Sequence, residues 1–200
     1  AHAGRAFHDG INAVAGAARL AASLHALNGR RDGVTVNVAR IAGGAPPNVV
    51  PERALVSFNA RVPDAEAARW VEDALAEITA APPLEGLELA LHGGFTRPPK
   101  PMDAAQSALF EAARAAAALI GQPLRWRDTG GVCEGNNLYA AGLPNIDTLG
   151  VIGGDIHSDR EYAWPASFAE RARLSALILC KVASGEIDAP DLKRLRTEAA

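Results

Sequence analysis

Cysteine is scarce in this chain. Cys133 and Cys180 are its only two, too few for a disulfide framework, so reduced thiols inside a cell are expected, with a single bridge left open. Long apolar runs are also missing: no stretch reaches the roughly 20 residues that a membrane span requires. Residues 1–30 lack the charged start and apolar core of a signal peptide. Neither sign of charge prevails. The 20 Lys and Arg are interspersed with 23 Asp and Glu, giving a formal net charge of -3 and no electrostatic footprint for nucleic acid or an anionic membrane. The cytoplasm is the expected compartment and a small molecule the expected partner, with no nucleic acid and no membrane. No internal repeat is visible. An initiator Met is absent, and the natural N-terminus is expected to lie elsewhere.

What is present is the material of a folded chain: 200 residues, 48% hydrophobic and 22% charged, enough for one large domain or two small ones. From Ile11 to Leu27, Leu20, Leu24 and Leu27 recur at helical spacing, and Asn28-Gly29 ends the pattern. Val34, Val36 and Val38 alternate with polar residues as in a strand, which Gly43 to Pro47 breaks. In a second strand, Ala54 to Val62, the residues Val56, Phe58, Ala60 and Val62 share one face, so Arg61 points away from that core. Pro63-Asp64 opens a helix to about Ala80, and Leu87 to Leu91 reads as a short strand. The order helix, strand, strand, helix, strand is that of a ferredoxin-like unit with its first strand missing.

The run Gly93 to Pro101 is rich in glycine and proline, placing a domain boundary there. The expected division is 1–94 and 95–200. Asp103 with Gln106 forms a candidate capping box for a helix to Ile120. A short extended piece (Leu124 to Arg127), a short helix (Glu134 to Ala141) and a buried strand (Asn145 to Leu149) follow. Ser167 with Glu170 is expected to cap a long final helix ending near Gly185, and the polar tail from Glu186 is expected to fray. The fold class expected is α/β.

Two segments carry candidate chemistry. Thr129-Gly130-Gly131 precedes the short helix, where backbone N–H groups and the helix dipole favour an anion such as a carboxylate; a tight turn without a ligand is the plainer reading. His157 lies among glycines and near Asp155, Asp159 and Glu161, a setting suited to a metal-bound imidazole oriented by a neighbouring acid. A lone loop histidine is more often ordinary, and a catalytic zinc wants about three protein ligands.

Taken together, several short motifs resemble one family. Ala1-His2-Ala3-Gly4 and Gly10-Ile11-Asn12-Ala13 are similar to its His-Ala-Gly and Gly-x-Asn-Ala elements, and Asn48-Val49-Val50-Pro51 to its Asn-x-Ile-Pro element. Asn59-Ala60-Arg61 resembles the strand that ends in a substrate-binding arginine. Thr129-Gly130-Gly131 and His157-Ser158 with Glu161 resemble its Thr-Gly-Gly and His-Ser-x-x-Glu. The family is the dizinc amidohydrolases and carboxypeptidases, which include bacterial glutamate carboxypeptidase, acetylornithine deacetylase, succinyl-diaminopimelate desuccinylase and aminoacylase. The resemblance covers about residues 1–185.

The resemblance implies a ferredoxin-like lid that also forms a homodimer, followed by the C-terminal part of a three-layer α/β zinc-hydrolase domain. It implies cleavage of an amide bond in an N-acyl amino acid or small peptide by water activated between two zinc ions, with cobalt a possible substitute. His2 would reach the partner's active site and polarise the scissile carbonyl. Asn48 and Arg61 would hold the substrate carboxylate, Gly130 and Gly131 would line the substrate site, and His157 would bind one metal. The family's other ligands lie in an N-terminal segment that these 200 residues do not contain, so the chain alone is expected to be inactive. Cys133-Glu134 stands where many members carry Ser or Thr and then Asp, and the absence of Gly-His-Asp there favours the peptidase and deacylase branch.

Two other readings compete. One is a non-catalytic dimerisation or binding module derived from the family. The other is a cysteine hydrolase using Cys133 with His157 as base, against which stands the commoner use of cysteine as a small apolar group. His25, His92, Trp70 and Trp126 are read as surface or packing residues, and His8 with Asp9 as a helix-entry pair.

Overall fold

The computed structural model describes residues 1–198. Backbone contacts divide the chain into two units, Ala1–Pro99 and the residues from Lys100 onward.

In the first unit, helix α1 (Ala13–His25) starts where Asn12 Oδ1 accepts the Ala15 N–H at 3.0 Å, satisfying a donor that the helix cannot. It ends at His25, with Ala26 as its C-cap. In the turn that follows, the Asn28 side chain accepts the Val36 N–H and donates to the Val36 carbonyl, both at 2.8 Å. It thereby stands in for a strand neighbour and clips α1 to strand β1 (Thr35–Gly43). β1 pairs antiparallel with β2 (Ala54–Arg61), from Thr35 opposite Arg61 to Gly43 opposite Ala54, with an irregularity between Val38 and Arg40. Helix α2 (Ala65–Ala80) is capped by Asp64, whose Oδ1 accepts from Ala67 N at 2.8 Å.

The alternation expected of the strands therefore holds, and β1 runs on to Gly43. Val36, Val38, Val56 and Phe58 pack against Leu24, Leu27, Trp70 and Ile78, while Val34, Ala67 and Val71 form a second cluster that takes in Phe95. The strand expected at Leu87 to Leu91 is not formed; the segment has no ladder partner. Leu84 and Leu87 instead lie over Gly16, at a point on α1 where a Cβ would meet the Leu87 side chain. Packing onto a helix, rather than backbone pairing, uses these leucines. Leu24 is 1% exposed, so Leu24→Ala should lower stability by about 2–5 kcal/mol, read as a drop in the urea midpoint with an unchanged slope.

The second unit contains α3 (Ala104–Leu119), α4 (Glu134–Ala140), α5 (Ala166–Ala183) and α6 (Ala189–Glu198). A small hairpin joins β3 (Gly153–Gly154) to β4 (Tyr162–Ala163). Asp103 caps α3 through Gln106 N at 2.8 Å, but the expected box is not closed. The Gln106 side chain is spent on Asn145, accepting its N–H at 2.8 Å and donating to its carbonyl at 3.0 Å. The same bonds explain why the strand expected at Asn145 to Leu149 is absent. The backbone of Asn145 is satisfied by a glutamine side chain rather than by a neighbouring strand.

Ser167 does not cap α5. Pro165 occupies that position, and Ser167 Oγ accepts from Ile152 N at 2.9 Å and donates to Trp164 O at 2.6 Å. The tail is not frayed over the described residues: Ile187 and Leu192 are buried, and Arg196 places its guanidinium 4.2 Å from the centroid of the Tyr139 ring. Residues 199 and 200 of that tail lie outside the described residues. The class is α/β, with helices and small antiparallel sheets. Among the described residues no helix is long and apolar enough to cross a membrane.

Candidate active site

His2 and Asn48, 46 positions apart in sequence, are brought together. Ala3 N donates to Asn48 O at 2.8 Å, Val50 N donates to Ala1 O at 2.9 Å, and His2 pairs antiparallel with Val49. Residues of the Gly-x-Asn-Ala element brace this corner. A Cβ on Gly10 would lie 2.8 Å from Ala1 Cβ and 3.3 Å from Val50, and Ala13 N donates to Pro51 O at 3.0 Å. The glycine permits the close approach, and Asn12 and Ala13 start α1 beside Pro51. The His2 ring is exposed, and its Nδ1 accepts the Gly4 N–H at 3.1 Å. In the neutral ring this leaves Nε2 to carry the proton. The corner therefore presents a histidine donor beside an exposed asparagine, a pair suited to an oxygen acceptor.

Arg61 is not part of this corner. It stands at the opposite end of the ladder from the Gly43–Ala54 end, which the connection carrying Asn48 joins. The seven residue steps from Ala54 to Arg61 span roughly 23 Å. Its Nε donates to Asn59 Oδ1 at 2.7 Å on the face of β2 away from the core.

In the second unit, Gly130 and Gly131 lie in an irregular stretch, and Gly131 N donates to Thr129 Oγ1 at 3.0 Å. Helix α4 begins with Cys133 as its cap: Sγ accepts from Gly135 N at 3.3 Å, and Cys133 N donates to Asn136 Oδ1 at 3.1 Å. The thiol itself donates to Asp147 Oδ2 at 3.1 Å. Lys100 Nζ donates to the same oxygen and to Asn145 Oδ1 at 3.2 Å. Burial raises the Asp147 pKa, but Lys100 and the Cys133 and Thr148 donors outweigh it, so the carboxyl is held below its usual range. Tyr139 moves upward because it is buried and donates to Asp103 at 2.8 Å, against the opposing pull of Arg196.

His157 sits in the connection between β3 and β4, exposed, with φ of 66°, and Asp155 two residues earlier has φ of 53°. Left-handed backbone at non-glycine residues costs of order 1–3 kcal/mol each and persists where the surroundings enforce it. Here the enforcement is visible. His157 N donates to Glu161 Oε2 at 3.1 Å, Ser158 N and Oγ both donate to Asp155 O, and Glu161 N donates to Ser158 O. The serine and glutamate of His-Ser-x-x-Glu thus shape the loop that displays the imidazole. Among the described residues no three His, Cys, Asp or Glu side chains are grouped to hold a metal. Glu161 is engaged by His157 N, and Asp155 faces Arg160 Nε at 3.8 Å. A dinuclear centre therefore does not fit the described residues by themselves; His157 is suited to supply one ligand.

Sequence reasoning passed over Lys100, Asn145 and Asp147. Their roles depend on bonds spanning 45 and 47 positions, which leave no periodic signal. The one legible hint was polar residues, Asn145 and Asp147, in a segment that otherwise reads as apolar.

A family model described as peptidase dimerisation domain matches residues 1–86. The matched stretch, which is similar to that domain, comprises the His2–Asn48 corner, α1, the β1–β2 hairpin and α2. Solved structures extend the likeness past the dimerisation domain. An aminopeptidase PepT from Bacillus cereus is 25% identical, with a TM-score of 0.72 over 92% of this chain. A tripeptidase from Staphylococcus aureus is 19% identical, with 0.72 over 97%. The YXEP protein of Bacillus subtilis, described as a dinuclear metal binding peptidase of the M20 family, is 19% identical, with 0.60 over 84%. At 19% the likeness is one of fold. The chain spans 48%, 48% and 45% of these three structures, about half their length. No curated protein matches the sequence.

Proposed function

We propose that this chain forms the lid and part of the catalytic domain of a dimeric, metal-dependent hydrolase that cleaves an amide bond in a short peptide or N-acyl amino acid. The observation that carries this reading is the His2–Asn48 corner: an exposed imidazole whose Nδ1 accepts from Gly4 N, beside an exposed amide, in a stretch similar to a peptidase dimerisation domain. The aminopeptidase and tripeptidase names of the similar structures favour short peptides. Residues 1–94 serve as lid and dimer contact, and residues 95–200 carry the catalytic portion. His157 is one metal ligand, zinc being the expected ion and cobalt a substitute, with the remaining ligands supplied from outside these 200 residues.

Each side chain has a distinct task in this reading. The His2 Nε2–H donates to the carbonyl oxygen under attack, where donors aimed at developing charge are most effective. Gly130 and Gly131 offer backbone N–H groups to the substrate. Asn48 and Arg61 bind polar ends of substrate, and the length of the β ladder keeps them from acting on one carboxylate within one copy. A two-fold dimer resolves this by supplying His2 and Asn48 to the partner's site while Arg61 serves its own.

The test is incubation of the metal-loaded protein carrying this chain with di- and tripeptides and N-acetyl amino acids, with and without a chelator. Hydrolysis that stops on chelation and returns with zinc or cobalt is expected, and no hydrolysis of any of them would overturn the reading. Arg61→Ala should raise KM with little change in kcat, because a charge-assisted hydrogen bond of about 1.5–3 kcal/mol is lost from binding alone. An unchanged KM for carboxylate-bearing substrates would remove Arg61 from the site.

A further inference from the structure

The connection that carries His157 leaves a hairpin whose base is drawn tight. A Cβ on Gly154 would lie 2.9 Å from both Cε1 and the hydroxyl oxygen of Tyr162, and one on Gly153 would strike the Tyr162 carbonyl oxygen. Gly154 pairs with Tyr162, so Asp155 and Glu161 enter the loop from paired residues. Within it, the two peptide planes that flank the His157 Cα are held from different directions. The plane before it offers the His157 N–H, which Glu161 Oε2 accepts at 3.1 Å; the plane after it offers the Ser158 N–H, which the Asp155 carbonyl accepts at 3.1 Å.

Peptide units are rigid, so holding both planes fixes φ and ψ of the residue between them. The result is φ of 66° at a residue with a side chain, a conformation that is uphill by itself and relaxes when a restraint is removed. The Cα–Cβ bond turns with the backbone, and the direction in which the imidazole leaves the chain follows from the same two bonds. An acid beside a ligand histidine commonly acts on the ring. Glu161 instead spends its carboxylate on the main chain. We propose that Glu161 is a positioning residue that sets the metal affinity of His157 through the backbone: by accepting the His157 N–H it holds the left-handed conformation that aims the imidazole at the ion. The role rests on the metal ligation proposed for His157. A neutral amide oxygen at the same place accepts the same N–H, whereas a role exerted by charge on the ring or the ion needs the carboxylate.

The test compares Glu161→Ala and Glu161→Gln in the protein that carries this chain, by amide exchange at His157 without metal and by titration with zinc and with cobalt. Loss of a hydrogen bond to a charged acceptor is expected to speed exchange of the His157 N–H about tenfold in Glu161→Ala, with exchange in α5 unchanged. Metal affinity falls about 10- to 100-fold in the same variant, while Glu161→Gln stays within about threefold of the unsubstituted protein on both readouts. Unchanged exchange in Glu161→Ala would overturn the clamp. Faster exchange with unchanged metal affinity would overturn the positioning role, and Glu161→Gln as impaired as Glu161→Ala would overturn the backbone assignment. If the unsubstituted protein binds neither ion, the proposed function fails and the positioning role with it, and exchange still decides whether Glu161 holds the loop.

Discussion

His157→Ala is expected to lower peptide hydrolysis by about a thousandfold or more, because loss of a metal ligand removes several kcal/mol of charge stabilisation from the reaction of every substrate. The effect should fall on kcat across the whole substrate panel, unlike that of Arg61, which tracks the substrate carboxylate. Metal content measured on the same preparation should fall with activity. The fold should survive, since His157 is exposed and its only described bond, from the backbone N–H to Glu161, remains available to alanine. Alanine is less at ease than glycine at φ of 66°, but so is histidine. The substitution therefore separates ligation from loop shape. Retention of full metal content and activity would remove His157 from the site.

His2→Ala is expected to lower kcat by about 100- to 1000-fold with a smaller change in KM, the range seen when one donor to a developing oxyanion is lost. The imidazole makes a single described hydrogen bond, from Gly4 N, whereas the corner itself is held by backbone bonds of Ala3 and Val50 that alanine leaves intact. Circular dichroism and dimer mass should be unchanged. His2→Gln, which retains an N–H donor on a different geometry, should recover part of the lost rate. A fall confined to KM would make His2 a binding group instead.

What the sequence disclosed and what it withheld divide along the range of the interactions. Asp64 and Asp103 at helix starts act over three residues, and the alternation of Val36 with Val38 and of Val56 with Phe58 acts within one strand, so both were legible. The likeness of residues 1–86 to a peptidase dimerisation domain was legible through short motifs. Three expectations failed for one shared reason: a local pattern states what a segment is capable of, and a distant partner decides what it does. Gln106 left its capping box because Asn145, 39 positions away, offered its backbone. Those bonds also took the place of a strand at Asn145 to Leu149. Leu87 packed onto α1 where Gly16 made room, and the segment formed no strand.

The tail failed differently. Its polar composition reads as solvated chain, yet two apolar residues, Ile187 and Leu192, with Arg196 on Tyr139 and near Asp103, suffice to seat α6. Such a helix is stabilised by what it docks on rather than by its own periodicity. The separation of Asn48 from Arg61 was hidden in the same way. Thirteen positions of sequence do not reveal that the register of β1 with β2 sets them at opposite ends of the ladder.

The most direct test of the account is complementation between two inactive variants, His2→Ala and His157→Ala, mixed in equal amounts under conditions that let subunits exchange. A site built from His157 of one copy and His2 of the other is intact once in every mixed dimer. Random pairing makes half of the dimers mixed, so about a quarter of the activity should return. A mixture that stays as inactive as its components would contradict a site shared across the dimer, and with it the role proposed for the His2–Asn48 corner.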